Sequence, residues 1–168
     1  HPSFYTRLGN FTLPYSFDTL AGIFNFIFIQ NTIHKLTFYS GLYDQLFLNQ
    51  IAIFARSRRI LTKVGGVALS MVPGLTRRDL KSTRVPEEGS IAFGTMHIAK
   101  GLEFRAVALV GCSDENIPDK SSLRNVNDEA EMGERLLEER NLLYVAATRP
   151  REKLLITYTG EPSEFIAE

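Results

Sequence analysis

Two short stretches concentrate the groups that can do chemistry. The first runs Gly94-Thr95-Met96-His97-Ile98-Ala99-Lys100-Gly101-Leu102-Glu103-Phe104. A hydroxyl, an imidazole, an ammonium and a carboxylate fall within nine residues of it. The second runs Glu138-Glu139-Arg140-Asn141-Leu142-Leu143-Tyr144-Val145-Ala146-Ala147-Thr148-Arg149-Pro150-Arg151 and delivers Arg149 where an apolar helix pattern ends. A guanidinium fork matches phosphate oxygens, and a lysine beside a glycine can approach a phosphate closely because glycine carries no Cβ. No G-x-x-x-x-G-K-[ST] loop, G-x-S-x-G elbow or H-E-x-x-H pair occurs, so neither stretch completes a familiar site. His1, His34 and His97 are dispersed and Cys112 is the single cysteine, which excludes a thiolate zinc site and an internal disulfide.

The elements that must hold these groups read as an α/β domain. Ile51 to Ala55 and Ala106 to Val110 are continuous apolar runs, the mark of strands buried on both faces of a parallel sheet. Ile91 to Met96 and Leu154 to Tyr158 are further strand candidates. Arg58 to Leu61 opens a helix expected to end near Gly65-Gly66, and Val67 to Val72 then reads as a strand. Pro73 to Ser90 reads as a polar, basic connector holding Arg77, Arg78, Lys81 and Arg84. Residues 112–130 read as a loop. Glu131 to Thr148 reads as a helix with Leu136, Leu137, Leu143, Tyr144 and Ala147 on one face, stopped by Pro150. Towards the start, residues 1–16 are turn-rich, Asp18 can cap a helix through Leu20 to Ile27, a stretch apolar enough that a buried strand is the alternative, and Thr37-Phe38-Tyr39 suggests a strand. Alternating strands and helices predict a mostly parallel sheet flanked by helices, with ligands at the carboxyl ends of the strands.

Composition narrows the partners. The chain has 168 residues, 44% apolar and 23% charged, as a globular domain does. Nineteen basic and nineteen acidic side chains cancel. Residues 1–84 nevertheless carry a net +7 and residues 85–168 a net −7, so a basic patch in the first half is compatible with nucleic acid. The longest apolar stretch, Leu20 to Ile29, is too short to cross a bilayer. With no disulfide to maintain, a reducing, cytoplasmic setting is expected. The chain begins at His1 and is expected to be part of a longer polypeptide.

The two chemical stretches carry a family resemblance. TMHIAKGLEF resembles motif V, and EERNLLYVAATRPREKL motif VI, of UvrD/Rep-type superfamily 1 DNA helicases. IAIFARS at 51–57 is similar to motif IV, and the tail TGEPSEFIAE resembles the end of one bacterial branch. The resemblance is loose over residues 51–72 and close over 89–168. It implies the second of two RecA-like motor domains, a three-layer α/β fold occupying residues 51–168, with residues 1–50 packing on the same domain.

In that family ATP sits between the two domains, and Mg²⁺ is held mainly by the first, which also supplies the phosphate loop. The resemblance implies that Arg56 and Arg149 reach the γ-phosphate and that Glu103 accepts hydrogen bonds from the ribose. It also implies that Thr95, His97 and Lys100 touch single-stranded DNA or couple it to the nucleotide, and that Tyr144 packs motif VI in place. The implied partners are single-stranded DNA and the first RecA-like domain of the same polypeptide. The departures are Asn141 and Pro150, where many members have arginine and alanine, and Ala55, where an aromatic often stands. Pro14-Tyr15-Ser16-Phe17-Asp18 lacks the arginine of the motif that usually precedes motif IV. A non-catalytic binding module that kept the fold is the competing expectation.

Overall fold

The computed structural model describes residues 3–8, 11–16, 45–71, 74–80, 89–124, 126 and 128–166. The helix expected after Asp18 and the strand expected at Thr37 to Tyr39 lie outside these residues. The centre of the fold is β3 (Ile51–Ala55), buried at every position. It pairs in parallel with β5 (Ser90–Thr95) on one side and β6 (Phe104–Val110) on the other. The sheet continues through β4 (Thr76–Asp79) beyond β5 and β7 (Pro150–Thr157) beyond β6, both parallel. At the far edge, β1 (Ser3–Leu8) and β2 (Phe11–Ser16) form an antiparallel hairpin, and β1 pairs antiparallel with β7. The full order is β2-β1-β7-β6-β3-β5-β4.

The period of two along β3 divides the core. Ile51, Ile53 and Ala55 face one layer, where Leu61 and Val64 of helix α1 (Arg58–Met71) complete a cluster with Ile91, Phe93, Ala106 and Ala108. Ala52 and Phe54 face the other layer, with Phe104, Val107 and Leu109. There Leu143 and Ala146 of helix α3 (Glu129–Ala147) cover them. The Phe54 and Phe104 rings meet edge-on, centroids 5.8 Å apart. The expected α/β architecture, helices on both faces of a mostly parallel sheet, is what the chain adopts. A short helix α2 (Lys120–Leu123) lies in the β6–α3 connection, where the sequence predicts a loop.

Three local expectations are corrected. Helix α1 does not end at Gly65-Gly66 but runs on to Met71, so Val67 to Met71 is helix where a strand is expected. A Cβ on Gly65 would lie 2.5 Å from Arg77 Nη1, so the glycine is the seat for an arginine rather than a helix stop. The supposed connector contains β4, whose Thr-Arg-Arg-Asp sequence is polar because it is an edge strand. Arg77 lies over the Phe93 ring, 5.0 Å from its centroid. Finally, α3 turns a different face inward. Glu139, Leu143 and Ala146 are buried, at i, i+4 and i+7, while Leu137 is 55% and Tyr144 67% exposed. Tyr144 therefore does not pack its helix in place.

Cys112, just past β6, is fully buried, with its N–H donating to Thr157 O at 2.7 Å. Burial pushes its thiol up to about 12. A thiol reagent at pH 8 should leave the native chain unlabelled, and the labelling rate should follow global unfolding; fast stoichiometric labelling under native conditions would contradict this packing.

Candidate functional site

The residues singled out from the sequence divide between the two ends of the parallel strands. Arg56 directly follows β3, and Thr95 closes β5, so both stand at the carboxyl ends. Glu103 directly precedes β6 and Arg149 directly precedes β7, so both stand at the amino ends. The segment 95–103 links the two groups. Its 3-10 turn (Met96–Ile98) and the following residue bury Met96 and Ala99 in the α3-side core, while His97 and Lys100 face outward. Gly101, at φ 78°, makes the turn that side chains disfavour.

At the carboxyl ends, Arg56 is the hub. Its Nε donates to Glu139 Oε2 at 2.7 Å and its Nη2 to Glu139 Oε1 at 2.5 Å. The same Nη2 lies 3.5 Å from Asp119 Oδ2, and Asp119 N–H donates to Glu139 Oε2 at 3.1 Å. The Arg56 and Glu139 side chains are only 14% and 8% exposed. The hydrogen bonds to Glu139 hold the Arg56 guanidinium above its usual pKa. Asp119 is held below the carboxylate range, first by the Ser121 hydroxyl that donates to it at 2.7 Å. It also caps α2 by accepting the Ser121 N–H at 3.0 Å. His97 is pushed below the usual imidazole value by desolvation and then by the Arg56 charge, which favours its neutral form.

Beside this hub a cleft of about 300 Å³ opens between α1 and the ends of β4 and β5. Arg58, Thr62, Arg77, Asp79, Phe93 and Thr95 are among the residues that line it. Ser57 starts α1 by accepting the Ile60 N–H at 3.4 Å, and Arg58 and Thr62 of the first turns of the helix line the cleft. Gly94 brings the β5 backbone close to its neighbours: a Cβ there would lie 2.8 Å from Ile98 and 2.9 Å from Leu80.

At the amino ends, Arg149 is drawn back onto the last turn of α3. Its Nε donates to Val145 O at 2.8 Å and its Nη2 to Thr148 Oγ1 at 3.0 Å. That uses two of the five N–H donors of a guanidinium. Its carbonyl accepts the Phe104 N–H at 3.1 Å, which ties the exit of α3 to the entry of β6 next to the exposed Glu103. A cation and a carboxylate at one edge suit a phosphate and a ribose hydroxyl.

Arg56 and Arg149 were expected to meet on one phosphate. They stand at opposite ends of the strands, and the Arg56 fork is already filled by Glu139. The residues that sequence reasoning missed are Glu139 and Asp119. The available signal for Glu139 was its position four and seven residues before Leu143 and Ala146, a carboxylate on an apolar face. Among the described residues, no cluster of three or more His, Cys, Asp or Glu is arranged to hold a metal, and no helix is long and apolar enough to cross a membrane.

This architecture, a five-stranded parallel sheet between helical layers, defines a RecA-like α/β domain. Its C-terminal part matches a family model: residues 69–161 fit the UvrD-like helicase C-terminal domain, and the chain belongs to that family. It is 32% identical over 97 residues to the ATP-dependent DNA helicase Rep of Buchnera aphidicola from Acyrthosiphon pisum, covering 56% of this chain and 14% of that protein. It is 39% identical over 92 residues to DNA helicase II of Escherichia coli K12, covering 48% of this chain and 12% of the relative. The chain thus spans a small fraction of the length of these proteins. A solved structure of the C-terminal domain of a possible DNA helicase from Lactobacillus plantarum WCFS1 superposes with a TM-score of 0.57 at 19% identity, covering 83% of this chain and 71% of that one.

Two stability outcomes follow from the hub. Arg56→Ala strands a buried carboxylate and should cost about 3 kcal/mol in chemical denaturation; a loss below about 1 kcal/mol would mean the pair is solvated. Asp119→Ala should cost about 1 kcal/mol at neutral pH through the lost cap. Because the Asp119 pKa is depressed on folding, its contribution is complete above the ordinary aspartate value and lost as pH falls through the depressed one. The gap between variant and parent should therefore close on acidification.

Proposed function

We propose that this chain is the second motor domain of an ATP-dependent DNA helicase or translocase. Arg149 and Glu103 serve the nucleotide, and Thr95, His97 and Lys100 serve single-stranded DNA. The observation that carries this reading is the course of segment 95–103. It begins beside Arg56 and the cleft at one end of the sheet and finishes with Glu103 beside Arg149 at the other. One short anchored segment thereby joins a surface suited to a phosphate backbone to a surface suited to a nucleotide.

The roles follow from the side chains. Arg149 is partly exposed, and its remaining N–H donors can turn outward to neutralise charge on phosphoryl oxygens. Glu103 accepts hydrogen bonds from a ribose. Thr95 and Lys100 grip backbone phosphates, one as a neutral donor and one as a point charge. His97, kept mostly neutral, contacts DNA by hydrogen bonding rather than as a fixed cation. ATP supplies the phosphoryl group whose hydrolysis drives the motor, with Mg²⁺ held mainly by the first motor domain. Arg56 takes no nucleotide role in this reading; it holds the DNA-facing end together through Glu139. Without a phosphate loop, the 168-residue chain alone is inactive as an ATPase.

In the full-length polypeptide, Arg149→Ala should lower the ATP turnover rate by about 10³-fold or more while nucleotide affinity changes only a few-fold. Glu103→Ala should mainly raise KM for ATP. Turnover that survives Arg149→Ala would overturn the assignment. A full-length protein that binds DNA but never hydrolyses ATP would establish a non-catalytic module instead.

A further inference from the structure

Helix α3 touches both ends of the sheet. Its 19 residues rise about 1.5 Å each, so Glu139 and Arg149 stand about 15 Å apart along its axis. Three of its residues are buried, and one of them is Glu139. The other two, Leu143 and Ala146, pack in the apolar core with partly buried Leu142 and Ala147 beside them, and the hydrophobic attraction that holds them is non-directional. The Arg56–Glu139 fork is directional: its two parallel hydrogen bonds, and the third from Asp119 N–H, fix both the rotation and the height of the helix. The far end of the same helix holds the Arg149 guanidinium through Val145 O and Thr148 Oγ1. Any shift of the helix is therefore a shift of that guanidinium.

We propose that Glu139, pinned by Arg56 and Asp119, is a positioning residue that couples the DNA-facing end of the domain to Arg149 by fixing the setting of α3. The inference rests on the motor reading above. Strand contacts made by Thr95 and His97 act on the β3 and β5 ends where Arg56 sits. The fork passes that displacement to α3, and α3 passes it to Arg149. Glu139 itself touches neither nucleotide nor DNA in this scheme.

The test compares Glu139→Gln, Glu139→Asp and the apolar double variant Arg56→Met/Glu139→Leu in the full-length protein. ATP hydrolysis is measured with and without oligo(dT). Glu139→Gln keeps the shape and loses the charge. It should leave DNA-free hydrolysis and KM for ATP within a few-fold of the parent and cut the stimulation by oligo(dT) about tenfold. Glu139→Asp, which keeps the charge, should recover part of the stimulation. Replacing both partners by apolar groups of similar size preserves packing, so the double variant should melt near the parent and still lose the stimulation. Wild-type stimulation in Glu139→Gln, or in the folded double variant if the single one fails to fold, overturns the proposal. Arg149→Ala run alongside separates the two ideas. If it retains turnover, the Arg149 assignment fails and the coupling to it fails with it; if it abolishes turnover while Glu139→Gln stimulates normally, only the coupling role fails.

Discussion

Everything in this domain hangs on β3 being buried on both faces. A five-residue strand between two parallel neighbours must satisfy its backbone through their ladders and its side chains through two separate helical layers. Alternation along Ile51 to Ala55 allots Ile51, Ile53 and Ala55 to α1 and Ala52 and Phe54 to α3. Once both faces are sealed with apolar groups, polar chemistry is confined to the ends of the strands. The separation of Arg56 and Thr95 from Glu103 and Arg149 is thus a geometric result of a thin, dry sheet, and only segments that run the length of the strands can connect the two ends.

Parallel strands were legible because their apolar runs are continuous, and motif V was legible because its polar groups cluster in a short segment. The α1 boundary was misread because Gly65 looks like a helix stop until Arg77 is seen filling the space beside it. Strand β4 was invisible because an edge strand can be built from Thr, Arg, Arg and Asp, which pattern like a loop. The face of α3 was misassigned because counting apolar residues favours Leu137 and Tyr144, whereas the helix is rotated to bring a carboxylate to a buried arginine. A partner 83 residues away in the chain leaves no trace in local periodicity.

The same reasoning explains why the two arginines implied by resemblance part company in three dimensions. Both lie next to strands, but Arg56 leaves a strand and Arg149 enters one. In a parallel sheet these positions are at opposite ends, however similar the local sequences look. Glu139 then has two roles at once. It neutralises Arg56, and it accepts the Asp119 N–H, so one buried carboxylate joins α3 to the residue after β3 and to the cap of α2.

Pro150 gives the exit from α3 a character of its own. Proline has a fixed φ and restricts the residue before it, so Arg149 is kept out of further helix by the chain itself. Its carbonyl is held by Phe104 N–H and its side chain by Val145 and Thr148. Few backbone conformers are left to this residue once the chain has folded. The guanidinium is presented on a stiff mount with one soft joint, the side chain, so the backbone entropy of holding it in place is spent during folding.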